Sequence, residues 1–216
     1  MARSDSNGST SKDSTSAKES ASAKDGLEVP RTIVFVGLMG AGKSCIGRNL
    51  AAALDLPFVD ADKEIEAAAG CSIEDIFEEH GEEAFRAGER RVIARLLNQP
   101  TMVLATGGGA FMDPDTRKLI HQRATSVWLR ADLDLLLRRT ARRNNRPLLK
   151  RGDPRQILSD LIALRYPVYA EADVTVDSVD GPPEVTLGRV IEGLRAYAGE
   201  GGRSGSHTNK GRSAAL

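Results

Sequence analysis

A chain of 216 residues is one ordinary domain's worth, enough for a single core and too short for two large ones. Thirty basic residues balance thirty acidic ones, so no global charge argues for a nucleic-acid or membrane partner, and no apolar run approaches spanning length. The two cysteines, Cys45 and Cys71, have no metal-ligand spacing around them, a usage that suits a reducing cytoplasm rather than a disulfide scaffold.

Residues 1–28 are Ser-rich, carry both charge signs and lack aromatics, so they are expected to be a disordered tail. The stretch has no apolar h-region of a secretory signal, and its acidic residues argue against an organellar transit peptide. Residues 199–216, GEGGRSGSHTNKGRSAAL, read as a second disordered tail. The folded unit is therefore expected over about 30–198, with no internal repeat.

Within that unit, strand and helix patterns alternate. Residues 33–36, IVFV, are an unbroken β-branched and aromatic run ending in glycine, and a helix follows with Ile46, Leu50 and Leu54 at i, i+4 and i+8. LPFVD is a second strand, and Ile65 begins a short helix that Gly70 can stop. Ser72 and Asp75 form a capping-box pattern that opens IEDIFEEH, after which Phe85, Val92, Leu96 and Leu97 stripe a longer helix. TMVLAT is strand three, closing in three glycines. Asp113 and Pro114 supply an N-cap and a first-turn proline. TSVWL is strand four, followed by a helix with Leu133, Leu136, Leu137 and Thr140 on one face. RRNNRPLLKRGD is polar and irregular. Asp153 and Pro154 restart a helix whose stripe is Ile157, Leu158, Leu161 and Leu164. DVTVDS is strand five, and a last helix carries Leu187, Val190, Ile191 and Leu194. The pattern predicts an α/β fold, a five-stranded parallel sheet with helices on both faces. Ligands of such sheets sit beyond the carboxyl ends of the strands.

The motifs fall at those ends. GLMGAGKS, residues 37–44, matches G-x-x-x-x-G-K-[ST], whose glycines turn backbone N–H groups inward around phosphate oxygens at a helix N-terminus. Gly40, Ala41, Gly42, Lys43, Ser44 and Cys45 are the expected cradle, with Lys43 reaching the β- and γ-phosphates and Ser44 a magnesium ion. A functionless glycine-rich turn is the alternative, disfavoured by the strand before and the helix after. In FVDADKEIE, Asp60 and Asp62 stand two apart. If the chain stays extended both point the same way, Asp60 toward the metal's water shell and Asp62 toward an attacking hydroxyl. Alternatively Asp62 merely caps KEIEAAA.

GLMGAGKSCIGRNLA, DADKEIE, FRAGE, TGGGA, RPLL and LRYPVYAEAD, in that order across nearly all of 31–195, resemble the motif series of the shikimate kinase family. The resemblance implies a P-loop kinase fold with a mobile lid over about 142–153. It implies transfer of the γ-phosphoryl group of ATP to the 3-hydroxyl of shikimate, toward chorismate and the aromatic amino acids. By the same resemblance Asp62 contacts the substrate hydroxyls, Asp60 binds Mg²⁺ through water, and Arg86 and Arg165 grip the carboxylate, for which a guanidinium fork is suited. Glu89, one turn after Arg86, can hold that fork. Gly107, Gly108 and Gly109 allow close approach to a hydroxylated ring. Arg146 is the lid arginine over the γ-phosphate, and Arg139 lies near the adenine. A monomeric cytoplasmic enzyme, without nucleic-acid or membrane partners, is the implied whole.

Plainer readings stand beside these. Arg86 fits a solvated helix face, the glycine triplet a linker, and RRTARRNNR a nucleic-acid arm, although balanced charge and sparse aromatics show no wider binding face. Gly88 inside a helix costs about 1 kcal/mol relative to alanine. Cys45 stands where the family often has threonine, either as a small packing residue or as a modifiable thiol. His80, His121 and His207 show no metal spacing. Another small-molecule kinase of the same build, for gluconate or a nucleoside monophosphate, is the nearest alternative. A non-catalytic nucleotide-binding module is the more distant one, having no need of Lys43, Asp60, Asp62 and Arg146 together.

Overall fold

The computed structural model describes residues 27, 29–141 and 152–204. Five strands, β1 (Thr32–Val36), β2 (Phe58–Asp60), β3 (Val103–Ala105), β4 (Ala124–Arg130) and β5 (Val174–Asp177), form one sheet in the order β2-β3-β1-β4-β5. Every neighbouring pair is parallel, as the sequence pattern predicts. All residues of β1 and β3 are buried. Strands covered on both faces have no solvent side to alternate with, so they read as continuous apolar runs.

The strand order builds the site. Because β3 lies between β1 and β2, the register puts Asp60 opposite Ala105 and Ala105 opposite Phe35. The loops that leave these strands, residues 37–44, the Asp60 turn and the glycine triplet, therefore emerge side by side at one edge of the sheet.

Helix ends follow local chemistry. Helix α1 (Lys43–Leu54) starts at Gly42, whose left-handed φ of 103° brings no side-chain cap, and a helix N-terminus presents backbone N–H groups that suit an anion. Helix α2 (Ala61–Ala69) is capped by Asp60 and stopped by Gly70 at φ 74°. Helix α3 (Ile73–Leu96) opens with the reciprocal Ser72–Asp75 capping box and breaks at Gly81, where φ 78° and ψ 176° fit only glycine. Asp113 and Pro114 start α4 (Pro114–Arg123), and α5 (Leu133–Ala141) follows β4. Asp153 caps α6 (Pro154–Tyr169).

Three expectations need correction. Leu164 does not join the core; it is 65% exposed. The buried positions of α6 are Leu158 and Tyr169, and Leu164, six residues after Leu158, lies about 240° round a 3.6-residue helix from it. The last helix, α7 (Pro183–Ser204), runs past the expected boundary at 198. Leu27, placed in the expected N-terminal tail, packs against the core. The remainder of both expected tails, 1–26, 28 and 205–216, lies outside the described residues. Among the described residues no helix is long and apolar enough to cross a membrane.

Candidate active site

The loop after β1 is held in a shape only glycines permit. Gly37, Gly40 and Gly42 have φ of 135°, 84° and 103°. A Cβ on Gly37 would also lie 2.7 Å from the Leu129 carbonyl oxygen. Leu38 and Ala41 point into the core, anchoring the loop between those turns. Lys43 donates from Nζ to the carbonyls of Gly37 at 2.8 Å and Leu38 at 3.1 Å, so its ammonium lies across the loop. Arg139 braces the outer side, donating to the carbonyls of Gly40 at 3.3 Å, Ala41 at 3.4 Å and Val179 at 2.6 Å, and to Ser178 Oγ at 2.9 Å.

The two aspartates do not share an extended segment. β2 ends at Asp60 and α2 begins at Ala61, because the Asp60 carboxylate accepts the Asp62 N–H at 3.2 Å and so nucleates the helix. The cap is thus Asp60, not Asp62. The other oxygen of Asp60 accepts the Ser44 hydroxyl at 2.8 Å. Asp62 reaches the site from the first helical turn. Its Oδ1 would stand 2.8 Å from a Cβ on Gly107.

The glycine triplet is the hub. Thr106, buried at the end of β3, donates its hydroxyl to the Phe35 carbonyl at 3.0 Å, fixing where the next three residues fall. A Cβ on Gly107 would meet Asp62 Oδ1 and, at 3.0 Å, Glu89 Oε1; one on Gly108 would stand 3.1 Å from the Arg165 guanidinium and 3.5 Å from the Gly37 carbonyl oxygen; one on Gly109 would collide with the Arg86 guanidinium. The absent side chains leave room for the protein's own acid and guanidinium groups. This crowding brings Asp62, Arg86, Arg165 and the 37–44 loop around three residues.

Arg86 is half-buried and donates to Glu89 Oε2 at 2.6 Å and to the exposed Glu82 at 3.3 Å. Burial works against the Arg86 charge, but Glu89 outweighs it and holds the guanidinium above its ordinary value. Burial pushes the Glu89 carboxyl up, with Arg86 pulling the other way. Arg165 donates to the Gly108 carbonyl at 2.9 Å. The Arg165 guanidinium thus sits against the middle of the triplet and that of Arg86 against its last residue.

A family model described as shikimate kinase matches residues 39–195. The chain belongs to the shikimate kinase family. It is 64% identical over 169 residues to a shikimate kinase of Paramagnetospirillum magneticum, covering 78% of this chain and 87% of that protein. Identity to a shikimate kinase of Caulobacter vibrioides is 58% over 165 residues, 76% of this chain and 82% of that one. Among solved structures, the shikimate kinase from Acinetobacter baumannii in complex with shikimate superposes with a TM-score of 0.74 at 39% identity, covering 79% of this chain and 95% of that chain.

Within this shikimate kinase fold, Cys45 is exposed on the first turn of α1 and Cys71 is half-buried. Arg146 and the expected lid lie outside the described residues, apart from Gly152 and Asp153; His207 lies outside them as well. His80 stands 3.9 Å from the Glu79 carboxylate, and His121 stands 3.8 Å from that of Asp173 with its ring edge-on to Phe111. Among the described residues no cluster of three or more His, Cys, Asp or Glu is placed to hold a metal. A magnesium ion held mainly by phosphate and water needs no such cluster, and the hard oxygens of Ser44 and Asp60 suit it. Sequence reasoning missed Tyr169 and Ser178. Tyr169 donates its hydroxyl to the Gly108 carbonyl, and Ser178 anchors Arg139. The placement of Tyr169 four residues after Arg165 was the available signal, since such residues share a helix face.

Proposed function

We propose that the protein transfers the γ-phosphoryl group of ATP to the 3-hydroxyl of shikimate. One observation carries the reading: the three glycines after β3 gather a carboxylate and two guanidinium groups beside a phosphate-binding loop. An acceptor with hydroxyls at one end and a carboxylate at the other matches that set.

In this reading the N–H groups at the start of α1 and the Lys43 ammonium bind the β- and γ-phosphates. Asp62 accepts a hydrogen bond from the 3-hydroxyl and aims its oxygen at the γ-phosphorus, so transfer is in line with no covalent enzyme intermediate. Arg86 and Arg165 fix the acceptor by its carboxylate, which turns a two-molecule encounter into an oriented one. Magnesium would be held by the Ser44 hydroxyl and, through water, by Asp60, and it would neutralise phosphate charge. Arg146 is assigned to the γ-phosphate on family resemblance alone, and Arg139 to the nucleotide side of the loop. Lys43, Asp62, Arg86 and Arg165 come from one chain, so a monomer suffices. A cytoplasm rich in ATP, with both cysteines reduced, is its setting.

The test is ADP release with Mg-ATP and, in parallel, shikimate, gluconate or a nucleoside monophosphate. Shikimate alone is expected to stimulate turnover. Equal release with and without shikimate would overturn the reading.

A further inference from the structure

We propose that Tyr169 is a positioning residue for the acceptor carboxylate, its hydroxyl locking Arg165 and the Gly108 carbonyl into one unit. The inference rests on the function proposed above. Tyr169 donates to the Gly108 carbonyl oxygen, and Arg165 donates to that same oxygen at 2.9 Å. The Arg165 Nη1 and the Tyr169 hydroxyl both stand beside Gly108, 3.1 and 3.7 Å from where its Cβ would lie. The two residues stand four apart on α6, so both side chains leave the same helix face and reach one atom of the β3 loop.

The surroundings make the hydroxyl the informative part of the side chain. Tyr169 is fully buried, its ring 6.0 Å from that of Trp128, 6.3 Å from Tyr166 and 6.5 Å from Phe111. A ring that only filled this space would be better without oxygen, because a buried hydroxyl is costly unless bonded. Burial pushes the phenol up to about 12, so it stays a proton donor at every pH used for an assay. Its acceptor is the triplet's middle residue, where a Cβ would be 3.5 Å from the Gly37 carbonyl that also accepts from Lys43. The phenol therefore acts where the acceptor side meets the phosphate loop. A long guanidinium side chain loses rotamer freedom on binding, and Tyr169 imposes that order on Arg165 beforehand.

Tyr169→Phe keeps the ring and removes the hydroxyl, so steady-state kinetics isolate its contribution. The shikimate KM is expected to rise about fivefold, as for loss of one ordinary hydrogen bond. The ATP KM and kcat should stay within about twofold, a split that general loosening of the fold would not give. Tyr166→Phe, whose hydroxyl instead serves the Ala131 carbonyl, should leave the shikimate KM unchanged. In an Arg165→Ala background, Tyr169→Phe should add nothing, because it acts through the residue already removed. An unchanged shikimate KM, an equal rise in both KM values, full additivity with Arg165→Ala, or failure of Tyr169→Phe to fold would each overturn the inference. Shikimate-dependent turnover in the unmodified protein and Tyr166→Phe, with Tyr169→Phe indistinguishable, defeats this inference alone. Absence of such turnover in all three defeats the proposed function with it.

Discussion

The Arg86 guanidinium lies 2.6 Å from the Glu89 carboxylate, one turn along α3, and Glu89 is almost fully buried. Among the described residues its second oxygen, Oε1, has no hydrogen-bond partner. Burial raises the Glu89 carboxyl above its ordinary value, against the pull of Arg86. An acid raised on folding binds more protons in the folded than in the unfolded state between the two values. Its contribution to stability is thus fully present below the unfolded value and is lost as pH rises through the folded one. Relative to Glu89→Gln, the unmodified protein should lose unfolding free energy across that window and show a flat difference above it. Urea unfolding from about pH 4 to 8 measures this, and a difference that grows with pH would contradict it.

Two glycines of the same region should respond in opposite ways to alanine. A Cβ on Gly109 collides with the end of the Arg86 side chain, whereas one on Gly88 meets nothing within 4 Å. A flexible side-chain tip can swing aside, so Gly109→Ala should fold but displace the guanidinium and raise the shikimate KM about tenfold or more. Gly88→Ala relieves a helix-interior glycine and should add about 1 kcal/mol, or about 2–4 °C in Tm. Its kinetics should not change. Equal shikimate KM values for the two variants would show that Arg86 does not bind the acceptor.

Legibility tracked how local each cause was. The 37–44 loop, the Ser72–Asp75 box and the Asp113 and Pro114 start were readable because backbone geometry and neighbouring side chains decide them within a few residues. The all-parallel sheet followed from alternating patterns. The placement of β3 between β1 and β2 did not, since it depends on pairings across the chain, and with it went the side chains that the glycine triplet gathers. Asp60 and Asp62 do not share the extended segment that the sequence suggested, because the cap that Asp60 supplies ends the strand there and starts the helix at Ala61. Tyr169 passes for an ordinary core aromatic in sequence. Its partner carbonyl is 61 positions away.

Asp60 has two duties that substitution can separate. One oxygen caps α2 through the Asp62 N–H and the other accepts the Ser44 hydroxyl. Asp60→Ala loses both, and should cost about 1 kcal/mol of stability for the cap as well as raise the magnesium concentration needed for half-maximal activity. Asp60→Ser keeps a capping oxygen but no carboxylate. It should stay near the stability of the unmodified protein while showing the same shift in magnesium requirement. Thermal melts and a magnesium titration of ADP release check the pair. A normal magnesium requirement in Asp60→Ser would remove Asp60 from the metal's surroundings.

Arg139 should govern the nucleotide side alone. Its fork joins the carbonyls of Gly40 and Ala41 to Ser178 and the Val179 carbonyl, so it holds the phosphate loop against the end of β5 and touches none of the groups around the glycine triplet. Arg139→Ala leaves those carbonyls without their shared donor and lets the loop relax away from the shape its glycines adopt. The ATP KM is expected to rise about five- to tenfold with the shikimate KM within about twofold. Arg139→Lys restores the charge but not the planar fork, and should recover only part of the loss. Ser178→Ala removes one of the four bonds and should have a smaller effect than either. Steady-state kinetics with each substrate varied in turn decide it, and a shikimate KM that rises in step with that for ATP would show that the two halves of the site are not held independently.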